Sequence, residues 1–246
     1  MRSRRSLSSY VSLLVLTLLL VPGPAQANSA PNAVTDWALI VQQAIHNPNA
    51  PRSSGTSQIL HTTVMLAVYD AVVAIDGEYR PFAVEIQADR HADLRAPVAT
   101  AAYHTARARV APSQVGYLDQ QYATYMANIP NSPAKDAGTA VGHEAAAGVL
   151  AARANDNFAV VVPYECNAVP PAIGEFEPDA GCPAGSGSPQ PADVKVGQIA
   201  PFTFSNPARF RPDGPDPLTS SAYAEDFEET SVLGRFDSAV RTPEQT

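Results

Sequence analysis

Lysine is nearly missing from this chain: of 246 residues only Lys135 and Lys195 carry an ammonium group. Three of the 16 basic residues, Arg2, Arg4 and Arg5, precede residue 28 and no acidic residue does. The remainder therefore holds 13 basic against 24 acidic side chains, a net charge of −11. Such a chain excludes nucleic acid and anionic membrane surfaces as partners, since both are bound through cationic patches. The usual catalytic signatures are absent as well. There is no G-x-S-x-G, no P-loop, no C-x-x-C-H and no H-E-x-x-H, and Gly142-His143-Glu144 lacks the second His that a zinc helix requires. The five histidines are dispersed. His104 and His143 fall on separate alanine-rich segments with no carboxylate or Cys at ligand spacing, so neither a metal site nor a cofactor site is expected within the chain.

Only two cysteines occur, Cys166 and Cys182, and neither has a His nearby to complete a zinc site. Their context is an exported chain. Residues 1–27 combine the basic Arg2, Arg4 and Arg5, an apolar stretch from Val11 to Val21 and the Ala25-Gln26-Ala27 cleavage pattern of a signal peptide. That stretch is too short to cross a bilayer core of roughly 30 Å as a helix. The chain is therefore expected to be periplasmic or extracellular, with no membrane attachment after signal removal. The paired Arg residues leave the general and twin-arginine export routes open. In an oxidising compartment Cys166 and Cys182 are expected to form a disulfide, worth about 3 kcal/mol in the chain-entropy account.

What is present is helical periodicity. From Val64 to Ile75 only Tyr69 and Asp70 interrupt an apolar run that covers every helical face, so the stretch Thr56–Gly77 is expected to be the most buried helix. Thr56 or Ser57 is its expected N-cap and Gly77 its left-handed C-terminal residue. His61 and Asp70 are its polar core residues. A buried carboxylate requires partners, with Arg80 a candidate, and a structural role is favoured over catalysis because no second acid or His stands at helical spacing. Further helices are expected from Val34 to His46, from Pro97 to Pro112, from Ser113 to Ile129 and from Pro133 to Ala154. The last carries a seam of Gly and Ala, including Gly138, Gly142 and Ala145, that admits another backbone closely. Asn157–Pro217 holds twelve prolines and is expected to wrap the surface, with Phe202, Phe204 and Phe210 as anchors and a short strand at Phe158–Val162. Helix returns from Ser220 to Leu233, carrying Tyr223 and Phe227. Thr242-Pro243-Glu244-Gln245 then forms a capping box just before the sequence ends, the expectation for a chain cut short within a longer protein.

The block His61 to Phe82, HTTVMLAVYDAVVAIDGEYRPF, resembles the N-terminal region of vanadium-dependent haloperoxidases and the type 2 phosphatidic acid phosphatase superfamily. There H-x(7)-[FY]-D-A-V-x-A-I-D-G leads into Y-x-P-[FY]. The similarity continues through Ile129–Lys135, Phe210-Arg211-Pro212 and Arg241–Thr246, and so covers most of the chain after residue 34. It implies an all-α fold of two helical bundles in which vanadate or phosphate is held by K-x(6)-R-P, P-S-G-H and S-R-x(5)-H-x(3)-D on the C-terminal bundle. None of these three motifs occurs here, so no catalytic residue and no vanadate ligand is carried over.

The expected organisation is a signal peptide at 1–27, an N-terminal bundle at 28–154, a Pro/Gly-rich loop at 155–217 and the start of a C-terminal bundle at 218–246. The expected function is that of the N-terminal portion of an exported haloperoxidase-like protein, inactive alone, whose partner is the missing catalytic bundle or a second copy. An exported helical binding module without catalysis is the alternative, and a small enzyme built on His61 and Asp70 a third reading.

Overall fold

A computed structural model describes residues 32–48, 53–90, 93–162 and 193–245; the expected signal segment at 1–27 and the expected disulfide between Cys166 and Cys182 lie outside them. The helices are α1 (Ala33–Ile45), α2 (Ser54–Asp76), α3 (Arg95–Arg107), α4 (Pro112–Ala127), α5 (Pro133–Ala152) and α6 (Ser221–Leu233). Three single 3₁₀ turns follow the same chain, at Val196–Gln198, Pro207–Phe210 and Pro243–Gln245. No strand occurs among the described residues, and the all-α expectation holds. The segment at Phe158–Val162 is a turn rather than a strand. Asn157 adopts a left-handed φ of 62°, and its carbonyl accepts the Val160 N–H.

The chain divides into two compact units, Met1–Pro51 with Leu60–Val149, and Arg52–Ile59 with Leu150–Thr246. In the first, helix directions follow from who meets whom. Trp37 meets Tyr122 and Tyr125 edge-on, while the Tyr117 hydroxyl donates to Gln43, so α1 and α4 are antiparallel. Thr100 pairs with Tyr122, and Tyr103 with Asp119, so α3 and α4 are antiparallel too. Gly138 faces Ala96 and Pro97, and Gly142 faces Pro97, Thr100 and Ala101, so α3 and α5 run in the same direction.

The small-residue seam of α5 is what permits that last approach. Gly138, Val141, Gly142, Ala145, Ala146 and Val149 are its buried positions, whereas Ala134, Ala137 and Ala152 face outward. A Cβ on Gly142 would lie 2.5 Å from the Pro97 carbonyl oxygen and 2.6 Å from Thr100 Cβ. Backbone cannot yield as a side-chain tip can, so Gly142→Ala is expected to cost about 1–3 kcal/mol by overpacking. Gly116, on α4, has open space where a Cβ would go, and Gly116→Ala is expected to stabilise by roughly 0.5–1 kcal/mol through helix propensity. Urea unfolding of the two variants checks both signs.

The most enclosed helix is α3 rather than α2. Nine of its 13 residues are buried, whereas α2 leaves Tyr69 exposed and Met65, Leu66 and Val72 half-buried. Alanine contributes little hydrophobicity per residue, but its size lets α3 occupy the centre, touching α1, α4 and α5. By length and composition α2 is the one helix among the described residues that is long and apolar enough to cross a bilayer; half of that stretch is buried in protein.

Local signals set most helix ends. The Asn32 side chain caps α1 through the Val34 N–H, Ser132 caps α5 through Lys135, and Ser220 caps α6 through Tyr223. Gly77 takes φ 72° after α2. Helix α3 begins two residues ahead of expectation, with the Asp93 carboxylate accepting the Arg95 N–H. Pro97 is tolerated inside that first turn because its N–H would have had no helical partner. Lys135 closes the other end of the α4–α5 junction, its Nζ donating to the Met126 and Ile129 carbonyls and to Asn131.

In the second unit α2 starts at Ser54, so Thr56 and Ser57 lie inside its first turn rather than capping it. The cap comes from far away in sequence: Asp193, 138 positions on, accepts the Gly55 N–H. Hydrogen bonds from the Ser53 hydroxyl first, then from the Gly55 and Thr56 amides, hold the Asp193 carboxyl below its usual range. Beyond α5, Arg153 is almost wholly buried and pairs with Asp156 at 3.0 Å. Its other nitrogens donate to the carbonyls of Pro201 and Ala200, and its guanidinium lies 4.2 Å over the Phe202 ring. Asp156 in turn accepts the Phe158 N–H. Lys195 reaches the Phe158 carbonyl. Of the three expected anchors only Phe202 serves as one. Phe204 and Phe210 are exposed and meet each other edge-on. No residue of α6 is buried; Tyr223 and Leu233 are half-covered, Phe227 is 64% exposed, and Phe236 beyond it is fully exposed.

Candidate functional site

Asp70, fully buried on α2, binds backbone rather than an arginine. One carboxylate oxygen accepts the Phe82 N–H at 2.6 Å, and the other accepts those of Ala83 and Val84 at 2.9 and 3.3 Å. Three amides satisfy a buried carboxylate without a counter-ion. The expected partner Arg80 is exposed, and only its carbonyl takes part, accepting the neighbouring Tyr69 hydroxyl at 2.9 Å. Tyr69 and Asp70 together fold the Arg80–Val84 segment back onto α2. His61, nine residues earlier, is half-buried, and its Nε2 lies 3.3 Å from the Ala38 carbonyl of α1. His61 and Asp70 therefore bond to different backbone segments and form no acid/base pair.

Beside this clamp a shallow cleft of about 350 Å³ is lined by Val73, Gly77, Pro81, Ile86 and Arg90 among others. The Arg90 guanidinium lies over Gly77, in the space that a Cβ would occupy. No group of three or more His, Cys, Asp or Glu side chains gathers anywhere among the described residues.

A second cluster forms where α3, α4 and α5 meet. Tyr103 and Tyr122 stack with ring centres 4.1 Å apart and planes 4° from parallel, and His104 meets both edge-on. The His143 ring of α5 closes the group, its centre 4.0 Å from that of His104. Asp119 anchors the edge of the cluster, accepting from both the Tyr103 hydroxyl and Arg107 Nε. The Arg107 and Tyr103 bonds hold the Asp119 carboxyl below the usual carboxylate range, while burial and Asp119 push the Tyr103 phenol up. Burial, then His143, then Arg107 lower His104 to about 4.

Sequence reading placed His104 and His143 on separate helices without bringing them together. The signal lay in the Gly138/Gly142 seam: two glycines one turn apart announce a close helix neighbour, but not which helix it is.

The His104 shift has a pH consequence. The folded chain keeps this imidazole neutral down to about pH 4, whereas the unfolded chain protonates it near 6.5. Between those values the unfolded state binds more protons, so stability falls as pH is lowered through the window. The melting temperature is expected to drop more steeply from pH 6.5 to 4 in the native chain than in a His104→Phe variant. Equal slopes would remove His104 as the source.

Both lysines are held on backbone carbonyls, Lys135 at the α4 terminus and Lys195 on Phe158. No family model, no curated protein and no solved structure matches the chain.

Proposed function

We propose that this chain is the N-terminal helical scaffold of an exported haloperoxidase-like protein, and that by itself it turns over neither halide nor phosphoester. The observation that carries this reading is the Asp70 clamp. Tyr69 and Asp70, at the heart of the resemblance, bond to the backbone of Arg80 and Phe82 within the Tyr-x-Pro-Phe segment at 79–82. A motif whose polar members are consumed in joining a helix to its exit loop is a folding motif, and its place is in a scaffold. The oxyanion chemistry of that family requires several fixed cationic and N–H donors, each worth roughly 3 kcal/mol in the transition state. The K-x(6)-R-P, P-S-G-H and S-R-x(5)-H-x(3)-D motifs that supply them are not in this sequence. Vanadate would accordingly be held by a further bundle.

The test has two arms. The purified chain, assayed with vanadate, peroxide and bromide and separately with a chromogenic phosphate ester, is expected to give no turnover above a buffer blank. The gene around these codons is expected to encode the three oxyanion motifs in some reading frame. Turnover abolished by His61→Ala would overturn the reading in favour of a small enzyme, and a locus without the motifs would favour a binding module.

A further inference from the structure

Two imidazoles on different helices lie ring to ring at the α3–α5 contact, and neither forms a hydrogen bond with another described residue. Buried or half-buried histidines ordinarily donate their ring N–H to a carbonyl or carboxylate, which fixes the tautomer. Here packing fixes the His104 ring and the backbone that carries His143 instead. His104 is wedged edge-on against the Tyr103–Tyr122 stack. His143 follows Gly142, which is pressed against Thr100 and Ala101. Both side chains are therefore held by rigid helices, and His143 is exposed, so solvent reaches the pair.

We propose that His104 and His143 form a two-nitrogen site for a divalent transition-metal ion, with Cu(II) the preferred occupant and water completing its coordination. Nitrogens at about 2.0 Å from one ion stand about 3 Å apart when they occupy adjacent corners of its coordination square. Rings whose centres are 4.0 Å apart, inclined at 42°, can bring one nitrogen each to that separation. The absence of a third His, Cys, Asp or Glu within reach among the described residues selects the metal. Structural zinc demands four closed ligands, whereas Cu(II) accepts a tetragonal field of mixed nitrogen and water and stands highest in the divalent affinity order. The charge environment is compatible. The Arg107 guanidinium, one turn along α3 from His104, is paired with Asp119 at 2.8 Å. This inference is independent of the haloperoxidase reading, since the site lies on none of that family's oxyanion motifs.

The experiment is a Cu(II) titration of the purified chain at pH 7.5, followed by pulsed electron paramagnetic resonance of the one-to-one complex. The nitrogen modulation is expected to report two bound imidazoles. His143→Ala changes an exposed position, and the fold is expected to survive it, as circular dichroism will show. That variant is expected to retain one imidazole and to bind at least ten-fold more weakly, while His61→Ala leaves both readings unchanged. Zn(II) is expected to bind at least ten-fold more weakly than Cu(II). A single imidazole in the native complex, or a folded His143→Ala chain with unchanged affinity, would overturn the site.

Discussion

Asp70→Ala is expected to destabilise the first unit by about 4 kcal/mol, since hydrogen bonds to a charged group contribute about 1.5–3 kcal/mol each and part of the loss is recovered when the freed amides meet water. The alanine would leave three amides, those of Phe82, Ala83 and Val84, facing a buried position with no acceptor. Asp70→Asn keeps one acceptor oxygen but turns an NH₂ toward the remaining amides, and is expected to lose nearly as much. Tyr69→Phe removes only the exposed bond to the Arg80 carbonyl, and is expected to cost about 1 kcal/mol or less. Urea unfolding of the three variants at pH 7 separates these outcomes. A loss below 1 kcal/mol for Asp70→Ala would mean that the 82–84 segment is held by its side chains rather than by the carboxylate.

The second large effect is expected at Asp156. Its removal leaves the Arg153 guanidinium, 5% exposed, without its carboxylate, and breaking a buried pair from one side costs about 3–5 kcal/mol. Two further bonds of Arg153 go to Ala200 and Pro201, and the Ala200 N–H returns to the Asp156 carbonyl. The damage should therefore be local. In Asp156→Ala, amide hydrogen exchange is expected to accelerate at residues 156–160 and 198–202, with exchange in α3 and α4 unchanged. Arg153→Lys is expected to resemble Asp156→Ala, because one ammonium cannot reproduce the planar fork that holds a carboxylate and two carbonyls at once. Unchanged exchange at Ala200 in both variants would show that the Ala200–Asp156 backbone bond and Phe202 secure that segment without the ion pair.

The parts of this fold legible in the sequence are those encoded within a few residues. Ser132 and Ser220 announce helix starts because a short side chain can reach only the next turn, and Gly77 announces a helix end because its left-handed backbone tolerates no Cβ cheaply. Half of the expected Thr242 capping box is present, Gln245 reaching back to the Thr242 N–H, and the turn that it closes is a single 3₁₀ turn. The misreadings involve distant partners. Asp70 binds main-chain amides, which every residue but proline carries and which leave no mark in a sequence. Asp193 caps α2 from 138 positions away. The centrality of α3 was hidden because alanine is weakly hydrophobic, so a helix chosen for thinness looks less like a core than one built of Val and Leu. The meeting of His104 with His143 depends on which helix occupies the α5 groove, a matter of packing rather than of spacing.

The two lysines have a use that follows from where their ammonium groups sit. Lys135 seals the carbonyl end of α4 and Lys195 the Phe158 turn, one in each unit. An amine acylated there loses its charge and its bonds to those carbonyls, so the reaction requires the junction to open first. The rate at which a small acylating reagent modifies each lysine is then set by local opening of that unit, with no engineered probe needed. Read residue by residue in a mass spectrometer, the near-absence of lysine makes this chain its own two-channel reporter of which half loosens first.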